Sequence, residues 1–414
     1  MATNLRVDDA RLWDALMETA RFGATAKGGI RRLALSDEDR AVRDWFAAAC
    51  ADAGLALAVD AVGNMFATRA GTDPDAAPIA FGSHLDTQPA GGKFDGVLGV
   101  LAGLEAIRTL NDAGYETRRP LTLVNFTNEE GARFAPAMMA SGVFAGELDR
   151  EAILATVDRD GRSFGDELAR IGYEGSEPAG ERRFAAFVEL HIEQGPILED
   201  ARETIGVVAG GQGLLWIDGT ITGRDSHAGT TPMDKRRDSM TALAEVALAF
   251  EAIAKAHGPA GVGTMGDVTL IPGARNTIPG AATFRAEFRH PDGDTLTAME
   301  AALGERLDDI KARRGVGITT TRLRKDPIAF DPTVVAAVEA AAAQHGYKAR
   351  RMTSGAGHDA FYVASTCPTA MIFVPCAGGI SHNEEESATR TDCAAGAQVL
   401  LDAVLRLDAD GLTA

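Results

Sequence analysis

Short apolar runs alternate with helical segments over much of this chain, and this alternation constrains the fold more than any other feature. Strand-like runs at residues 79–83 and 121–127 flank a helical segment at about 97–113. An earlier helix is predicted to begin after Ser36, because a serine followed by three acidic residues is typical of a helix N-cap. The pattern predicts an α/β fold, with a mixed, mostly parallel sheet and helices on both faces.

The middle of the chain follows a different order. The glycine-rich stretch at residues 206–213 marks a change of composition and is interpreted as a domain boundary. Beyond it the predicted order is βαββαβ, typical of a ferredoxin-like α+β domain, with elements at residues 214–222, 238–257, 262–270, 282–289, 295–314 and 317–323. A chain of 414 residues is longer than those that usually form a single hydrophobic core. We therefore predict a domain formed by residues 1–211 and 327–414, with residues 212–326 inserted as a second domain.

The charge balance excludes several classes of partner. Lysine and arginine number 41 against 59 aspartates and glutamates, a net charge of −18, so we expect neither nucleic acid nor an anionic membrane as a partner. No apolar stretch approaches the ~20 residues that a bilayer requires, and no signal peptide is visible. The four cysteines form no C-x-x-C pair, which favours reduced thiols and a cytoplasmic location.

The first motif whose side chains are suited to metal binding or catalysis reads G-S-H-L-D-T, and it is followed by G-G-K-F-D-G. His84 and Asp86 lie two residues apart at the end of a predicted strand, so both side chains point the same way. Imidazole is a good metal ligand, and Asp86 is positioned to hold the far nitrogen of His84. Asp95, in the glycine-rich loop, has two oxygens and is able to bridge two cations. Taken alone, His84 is equally consistent with an ordinary surface histidine.

Two adjacent carboxylates, Glu129 and Glu130, directly follow the strand predicted at residues 121–127. Neighbouring carboxylates repel each other unless cations or water are close. One interpretation is a solvated acidic turn. In the functional interpretation the two glutamates have different roles: one would bind a metal, and the other would take a proton from water.

Two more predicted strands end in loops that carry histidines. His191 lies in E-L-H-I-E-Q-G-P, and His382 lies in S-H-N-E-E-E beyond the strand at residues 369–374. In open α/β sheets, ligand sites form at the carboxyl ends of the strands. Four such loops with histidine, aspartate or glutamate are a far stronger signal than any one of them. Nitrogen and oxygen ligands without cysteine suit zinc, manganese or cobalt.

The inserted domain contributes two candidate substrate residues. Arg289 is a natural clamp for a carboxylate, since guanidinium binds carboxylate in bidentate fashion. His227 is able to donate a hydrogen bond to a developing oxyanion. A surface arginine and a loop-capping histidine are the alternatives. Three further histidines lack a supporting motif and are predicted to be structural: His257, His290 and His345.

These motifs, with S-H-A-G-T-T-P and R-N-x-I-P in the middle of the chain, resemble the hydantoinase/carbamoylase family of di-zinc amidohydrolases. That family belongs to the larger aminoacylase and carboxypeptidase-G group. The resemblance runs from about residue 11 to 407, and seven motifs occur in the family's order. It implies a catalytic domain in two segments with an inserted lid that forms a homodimer.

The resemblance also implies a role for each matching residue. One divalent ion would be held by His84, Asp95 and His191. The other would be held by Asp95, Glu130 and His382. Glu129 would act as general base and Asp86 would orient His84. The implied substrate contacts are Gln194, Gln212, His227, Asn276, Arg289 and Gly357. The Ser354–Gly357 loop would close around the substrate, and zinc is the expected metal, with manganese or cobalt as alternatives.

The activity that the resemblance implies is hydrolysis of the carbamoyl amide of N-carbamoyl-L-amino acids to the free amino acid, CO2 and ammonia. Allantoate, β-ureidopropionate and N-acyl amino acids are alternative substrates, because they differ only in the pocket they need. In each case the partner is a small anionic molecule. A catalytically dead binding protein on this scaffold would be expected to have lost a ligand or the base, and every one of them is present.

Overall fold

A computed structural model describes residues 4–409 and divides the chain into two compact units. The first unit is Met1–Gly210 with Ala329–Ala414, and the second is Gly211–Ile328. Within the described residues, no helix is both long and apolar enough to cross a membrane.

The strands divide between one large and two small sheets. In chain order they are β1 (Ala56–Val59), β2 (Met65–Arg69), β3 (Ile79–His84), β4 (Leu121–Phe126), β5 (Ala186–Ile192), β6 (Ile205–Gly211), β7 (Gly213–Thr222), β8 (Ser226–His227), β9 (Val262–Ile271), β10 (Thr277–Ile278), β11 (Ala281–His290), β12 (Gly317–Lys325), β13 (Ile328–Ala329), β14 (Ala349–Ser354) and β15 (Thr369–Val374).

The helices begin where the sequence supplies capping side chains. Ser36 accepts a hydrogen bond from the Asp39 amide at the start of α2, as its sequence predicts. In chain order the helices are α1 (Asp9–Thr19), α2 (Asp37–Asp52), α3 (Val97–Asp112), α4 (Met139–Phe144), α5 (Arg150–Leu154), α6 (Phe164–Ile171), α7 (Ile197–Ala201), α8 (Ser239–Ala256), α9 (Gly293–Arg314), α10 (Pro332–Gln344), α11 (Asp359–Val363) and α12 (Arg390–Ala409), with short 3-10 turns at Met233–Lys235 and Ala377–Gly379.

The sheet of the first unit has the order β1-β2-β4-β3-β5-β15-β6-β13, with β14 beside β6. Its four central strands, β4, β3, β5 and β15, run parallel, whereas β1, β2 and β6 are antiparallel to their neighbours. Every residue of the four central strands is buried, which requires helices on both faces. Both α10 and α12 pack on β15, and α3 packs on β3. The predicted mixed, mostly parallel α/β fold is confirmed.

Parallel strands end at the same edge of a sheet, so the loops after β3, β4, β5 and β15 share one edge. These are the four loops that carry the histidine and carboxylate motifs. The topology of the first unit therefore gathers residues that lie up to about 300 positions apart in the sequence, from His84 to His382.

The second unit is an antiparallel sheet of order β12-β7-β11-β9 with helices α8 and α9 packed on it. Along β7, buried residues such as Leu215 and Ile217 alternate with outward ones such as Trp216. The buried residues form a core with Phe250 of α8 and Leu303 of α9. This is the strand order of a ferredoxin-like domain, as the βαββαβ pattern predicts.

The glycine-rich stretch that we interpreted as a boundary contains the division between the two units, which falls after Gly210. It also contains strand β6, which pairs with β15 in the large sheet and which the sequence did not predict. Glycine usually weakens a strand, so composition alone indicates a break here. At Gly206 a side chain would lie 2.5 Å from the sulfur of Met352 and 2.9 Å from the Cβ of Phe373, so glycine gives the strand room to pack.

Candidate metal centre

The backbone at the shared strand edge is shaped to bring side chains inward. Gly96 has a φ of 66° at the start of α3, and a Cβ there would lie 2.3 Å from the His84 ring. Three other residues at this edge, Asn128, Gln194 and His382, have positive φ although they are not glycine. Such backbone costs free energy and persists where the surrounding structure fixes it, which is frequent at functional sites.

The first cluster joins the ends of β3 and β5 to the glycine-rich loop. Oδ1 of Asp95 lies 3.5 Å from His84 Nε2 and 3.1 Å from His191 Nε2. All three side chains are buried, with at most 4% of each residue exposed. They form a group whose ligand atoms lie within 4.8 Å of one another, a spacing suited to one metal ion.

The second cluster uses the other oxygen of the same aspartate. Oδ2 of Asp95 lies 3.6 Å from His382 Nε2, and His382 Nε2 lies 3.4 Å from Glu130 Oε2. Asp95, Glu130 and His382 again have ligand atoms within 4.8 Å of one another. Asp95 therefore faces one cluster with each carboxylate oxygen, which is the arrangement of a bridging ligand.

The geometry of both clusters fits divalent cations. Two ligand atoms that each lie about 2.0–2.2 Å from one ion are about 3.0–3.6 Å apart in ordinary coordination angles, and the four distances above fall in that range. His84 Nε2 is buried and has no hydrogen-bond partner in the part of the chain that the structure describes. His191 Nε2 accepts from the Gly96 amide at 3.0 Å, a bond that an ion would replace. The nitrogen and oxygen donors suit zinc, manganese or cobalt.

Glu129 lies beside the clusters, with its Oε2 3.5 Å from His84 Nε2. Burial raises the pKa of Glu129 well above its ordinary value; His84 opposes this shift, and the neighbouring carboxylates add to it. Burial and Asp95 raise the pKa of Glu130 in the same way. The pKa of Asp95 itself is held well below its usual range, because His191 and His84 outweigh its burial. Glu129 thus combines proximity to the clusters with an affinity for protons.

Asp86 holds His84 with a different atom from the one we expected. The Nδ1 of His84 is 2.9 Å from the main-chain oxygen of Asp86, whereas the Asp86 carboxylate is 3.9 Å away. That carboxylate accepts from the amides of Glu129 and Glu130 at 3.2 and 3.3 Å. Donation from Nδ1 directs the lone pair of Nε2 toward the clusters. The Asp86 side chain therefore stays within ion-pair distance of His84, but the hydrogen bond that orients the ring comes from the Asp86 main chain.

Gln194, which we predicted to contact substrate, holds the bridging carboxylate in this structure. Its Nε2 donates to Asp95 Oδ2 at 2.8 Å, while its Oε1 is buried and has no hydrogen-bond partner among residues 4–409. Glu386, for which we predicted no role, supports the same loop by accepting from the amides of Phe94 and Asp95. Burial and the nearby Asp95 raise the pKa of Glu386 to about 7.

A third group of possible ligands lies behind the clusters and was missed from the sequence. Glu189, His191 and His358 lie within metal-binding distance of one another. However, both oxygens of Glu189 accept hydrogen bonds, from Ser83 at 2.6 Å and from the Ala360 amide at 2.9 Å. This group is therefore a packed polar network with its acceptors in use. The signal available in the sequence was the histidine that directly follows Gly357.

In the second unit, His227 is exposed in the short strand β8. Its Nδ1 accepts from the amides of Gly229 and Thr230 at 3.1 and 3.2 Å, so the neutral ring carries its proton on Nε2. Asn276 is also exposed, and its main-chain oxygen accepts from the Ala228 amide across the β8–β10 pair. His227 therefore offers a free-standing donor at Nε2.

Arg289 lies on the face of β11 opposite the helices and pairs with Glu287 on the same strand. Its Nε and one terminal nitrogen donate to the two carboxylate oxygens at 3.0 and 3.1 Å. The Oε1 of Gln212 has no hydrogen-bond partner among the described residues. Gly357 is exposed in the loop between β14 and α11 of the first unit.

Comparison with known proteins places this arrangement in a family. Residues 80–406 match the family described as Peptidase family M20/M25/M40, which covers most of the chain and both metal-ligand clusters. The chain belongs to this family. Membership of the M20/M25/M40 family and the two clusters together indicate a hydrolase of amide C–N bonds that binds divalent metal.

The relatives of this M20/M25/M40 member include curated enzymes. An N-carbamoyl-L-amino-acid amidohydrolase of Rhizobium meliloti is 50% identical over 403 residues, 97% of each chain. An N-carbamoyl-L-amino acid amidohydrolase of Geobacillus stearothermophilus is 40% identical over 97% of this chain and 99% of the relative. A crystal structure of an amidase of the hydantoinase/carbamoylase family from Burkholderia multivorans is 51% identical, with a TM-score of 0.93 over 97% of this chain and 98% of that one. The resemblance to hydantoinase/carbamoylase enzymes is thereby confirmed.

Proposed function

We propose that this enzyme hydrolyses the carbamoyl amide of N-carbamoyl-L-amino acids, releasing the free amino acid, CO2 and ammonia. The observation that carries the proposal is Asp95, whose two oxygens face two ligand clusters beside the buried Glu129. The activities named for the relatives at 50% and 40% identity support the choice of substrate. Two zinc ions are the cofactors we propose first, with manganese and cobalt as alternatives.

Five side chains would hold the two ions, in the two groups that share Asp95: His84 with His191, and Glu130 with His382. When bound, such a pair of cations polarises the substrate carbonyl and lowers the pKa of water from ~15.7 toward ~7. The chain itself contributes orientation. His84 is fixed by the Asp86 carbonyl, and Asp95 is fixed by Gln194.

Glu129 would move the proton. It is buried and its Oε2 lies 3.5 Å from His84 Nε2, so it is placed to accept a proton from the attacking water. It would then deliver that proton to the nitrogen of the departing amino acid. The carbamate left behind decays to CO2 and ammonia, and Glu129 returns to its starting state.

Residues of the second unit would bind the substrate. Nε2 of His227 would donate to the developing oxyanion, and Arg289 would bind the substrate carboxylate. Arg289 is bidentate with Glu287, so substrate would share or displace that contact. The remaining contacts that we propose are Gln212, Asn276 and Gly357, with Gln194 acting through Asp95.

We further propose a homodimer formed through the second unit. Strand β9 lies at the edge of its sheet and exposes Val262, Val268 and Ile271 by 49–51%. An exposed apolar edge strand is a surface that proteins usually cover. A cytoplasmic location is part of the same proposal, because the four cysteines are free and buried.

A substrate panel tests the proposed activity. The protein would be stripped of metal, refilled with zinc, manganese or cobalt, and assayed for amino acid and ammonia release. The panel holds N-carbamoyl-L-amino acids, their D-forms, allantoate, β-ureidopropionate and N-acetyl amino acids. We expect the N-carbamoyl-L-amino acids to have the highest kcat/KM with at least one metal. A higher value for any other class would replace the substrate while leaving the metal centre in place.

A further inference from the structure

Glu386 is a buried carboxylate directly beneath the loop that carries the bridging aspartate. It ends the S-H-N-E-E-E motif and is 4% exposed. Its Oε1 accepts from the main-chain amides of Phe94 and Asp95, at 3.2 and 3.1 Å. Because the two amides are consecutive, this one oxygen fixes the direction in which the chain enters Asp95.

The second oxygen of Glu386 reaches the side chain of the same aspartate through a hydroxyl. Ser381 Oγ lies 2.9 Å from Glu386 Oε2 and 3.0 Å from Asp95 Oδ2. Gln194 Nε2 contacts the same Oδ2 at 2.8 Å. Asp95 is therefore held at its main chain by Glu386 and at its side chain by Ser381 and Gln194.

The loop that packs against Glu386 has a glycine, Gly92, at the point of closest approach. A Cβ at Gly92 would lie 2.1 Å from Oε1 and 2.4 Å from the Cβ of Glu386. The backbone of Gly92 is outside the left-handed region, so glycine is required here by space and not by backbone conformation. This observation is independent of the hydrogen bonds and indicates that the loop and Glu386 pack as one unit.

We propose that Glu386 is a positioning residue that sets the orientation of Asp95, so that each of its carboxylate oxygens faces one metal. Glu386 makes no contact with metal or substrate in this scheme. The inference rests on the proposed metal-dependent function and deepens it. Outer hydrogen bonds to a ligating carboxylate commonly affect metal affinity by about 10–100-fold.

The test compares Glu386→Ala with Glu386→Gln and with Glu385→Ala, an exposed neighbour of the same residue type. Zn²⁺ and Co²⁺ affinities would be measured by competition with a chelator, with Co²⁺ absorption spectra as a report of coordination. We expect Glu386→Ala to weaken the more weakly held ion by about 10–100-fold. Glutamine keeps an acceptor for both amides and a donor toward Ser381, so Glu386→Gln should stay within about threefold of wild type. Glu385→Ala should be unchanged.

A second variant allows the proposal to be tested even if Glu386→Ala does not fold. Ser381→Ala removes one hydroxyl at a half-buried position and should weaken binding by about 2–10-fold, the worth of one hydrogen bond. Wild-type metal affinity in Glu386→Ala overturns the proposal. So does a Glu386→Gln protein as weak as Glu386→Ala, or, if Glu386→Ala does not fold, an unchanged Ser381→Ala. Metal binding is measured without substrate, so a protein that binds two ions but hydrolyses nothing in the panel refutes only the proposed activity.

Discussion

The first metal-ligand cluster of the first unit and the predicted substrate residues of the second unit lie in different environments. His84, His191 and Asp95 are almost fully buried, although His382 of the second cluster is exposed, and His84 Nε2 has no hydrogen-bond partner among the described residues. In the second unit, His227 and Asn276 are exposed, and Arg289 is already paired with Glu287. The residues of the first cluster bring charged groups together out of contact with water. The residues of the second unit either contact water or, in the case of Arg289, already have a charged partner.

This difference indicates different roles for the buried cluster of the first unit and the predicted substrate residues of the second unit. Buried charged groups are costly unless they are paired or coordinate a metal, so the first cluster has a physical need for cations. Exposed or paired residues have no such need, and a ligand that binds them must compete with water or with Glu287. We therefore expect substitutions in the first cluster to act on metal and on kcat, and loss of Arg289 in the second unit to act mainly on KM. His227 differs from Arg289, because a donor to the developing oxyanion acts on kcat.

The largest effect should come from Asp95→Ala. Both clusters lose a ligand at once, so we expect both ions to be lost and turnover to fall below detection. Metal content after dialysis and turnover with an N-carbamoyl-L-amino acid are the measurements. His382→Ala is the matched variant, because it touches one cluster and should lose one ion. Retention of two ions by Asp95→Ala would break the bridging assignment.

Glu129→Gln should keep both ions and lose turnover. The amide cannot accept the proton of the attacking water, and general-base catalysis contributes about 10²–10⁴-fold to a rate. The expected result is a kcat lowered by that factor, with metal content unchanged, whereas Glu130→Gln should lose metal. A normal kcat in Glu129→Gln would remove the residue from its proposed role.

Arg289→Ala tests the other half of the comparison. Loss of a charged hydrogen-bonding contact of about 1.5–3 kcal/mol should raise KM by about 10–100-fold with kcat little changed. Steady-state kinetics across substrate concentration separate the two constants. Arg285→Ala is the matched control, since Arg285 is exposed on the same face of β11 and lies 3.9 Å from Asp267. A lower kcat with unchanged KM in Arg289→Ala would contradict the division of work.

The last prediction concerns stability and not turnover. Ions that bind only the folded protein stabilise it by about 4 kcal/mol when free metal is 1,000 times the dissociation constant. Chelation should therefore increase hydrogen exchange at the ends of β3 and β5, and leave α8 and α9 of the second unit unchanged. Equal changes in both units would show that the cations do not act on the first unit alone.

Much of this architecture was predictable because hydrophobic periodicity specifies it. Strand β15 has the predicted bounds, and the βαββαβ order gives the second unit directly. The strand-end histidines were predictable as a group, since parallel strands present their loops at one edge. The contacts that these histidines make were not predictable, because those contacts depend on the conformation of the loops.

The missed details all depend on packing between distant segments. Glu386 and Gln194 meet Asp95 across about 290 and 99 positions of sequence, which no local pattern records. The Asp86 carbonyl is the hydrogen-bond partner of His84, while the Asp86 carboxylate accepts from the Glu129 and Glu130 amides of a loop more than 40 positions away. His358 is buried behind His191 only because α11 returns to the sheet there.

Strand β15 occupies an inner place of the large sheet, between β5 and β6, yet the chain reaches it only after the whole second unit. During synthesis, the growing polypeptide must therefore leave this place empty while more than a hundred intervening residues emerge. His382 arrives later still. The second cluster therefore has its complete set of donors only after residue 382 has been synthesised and has folded into place.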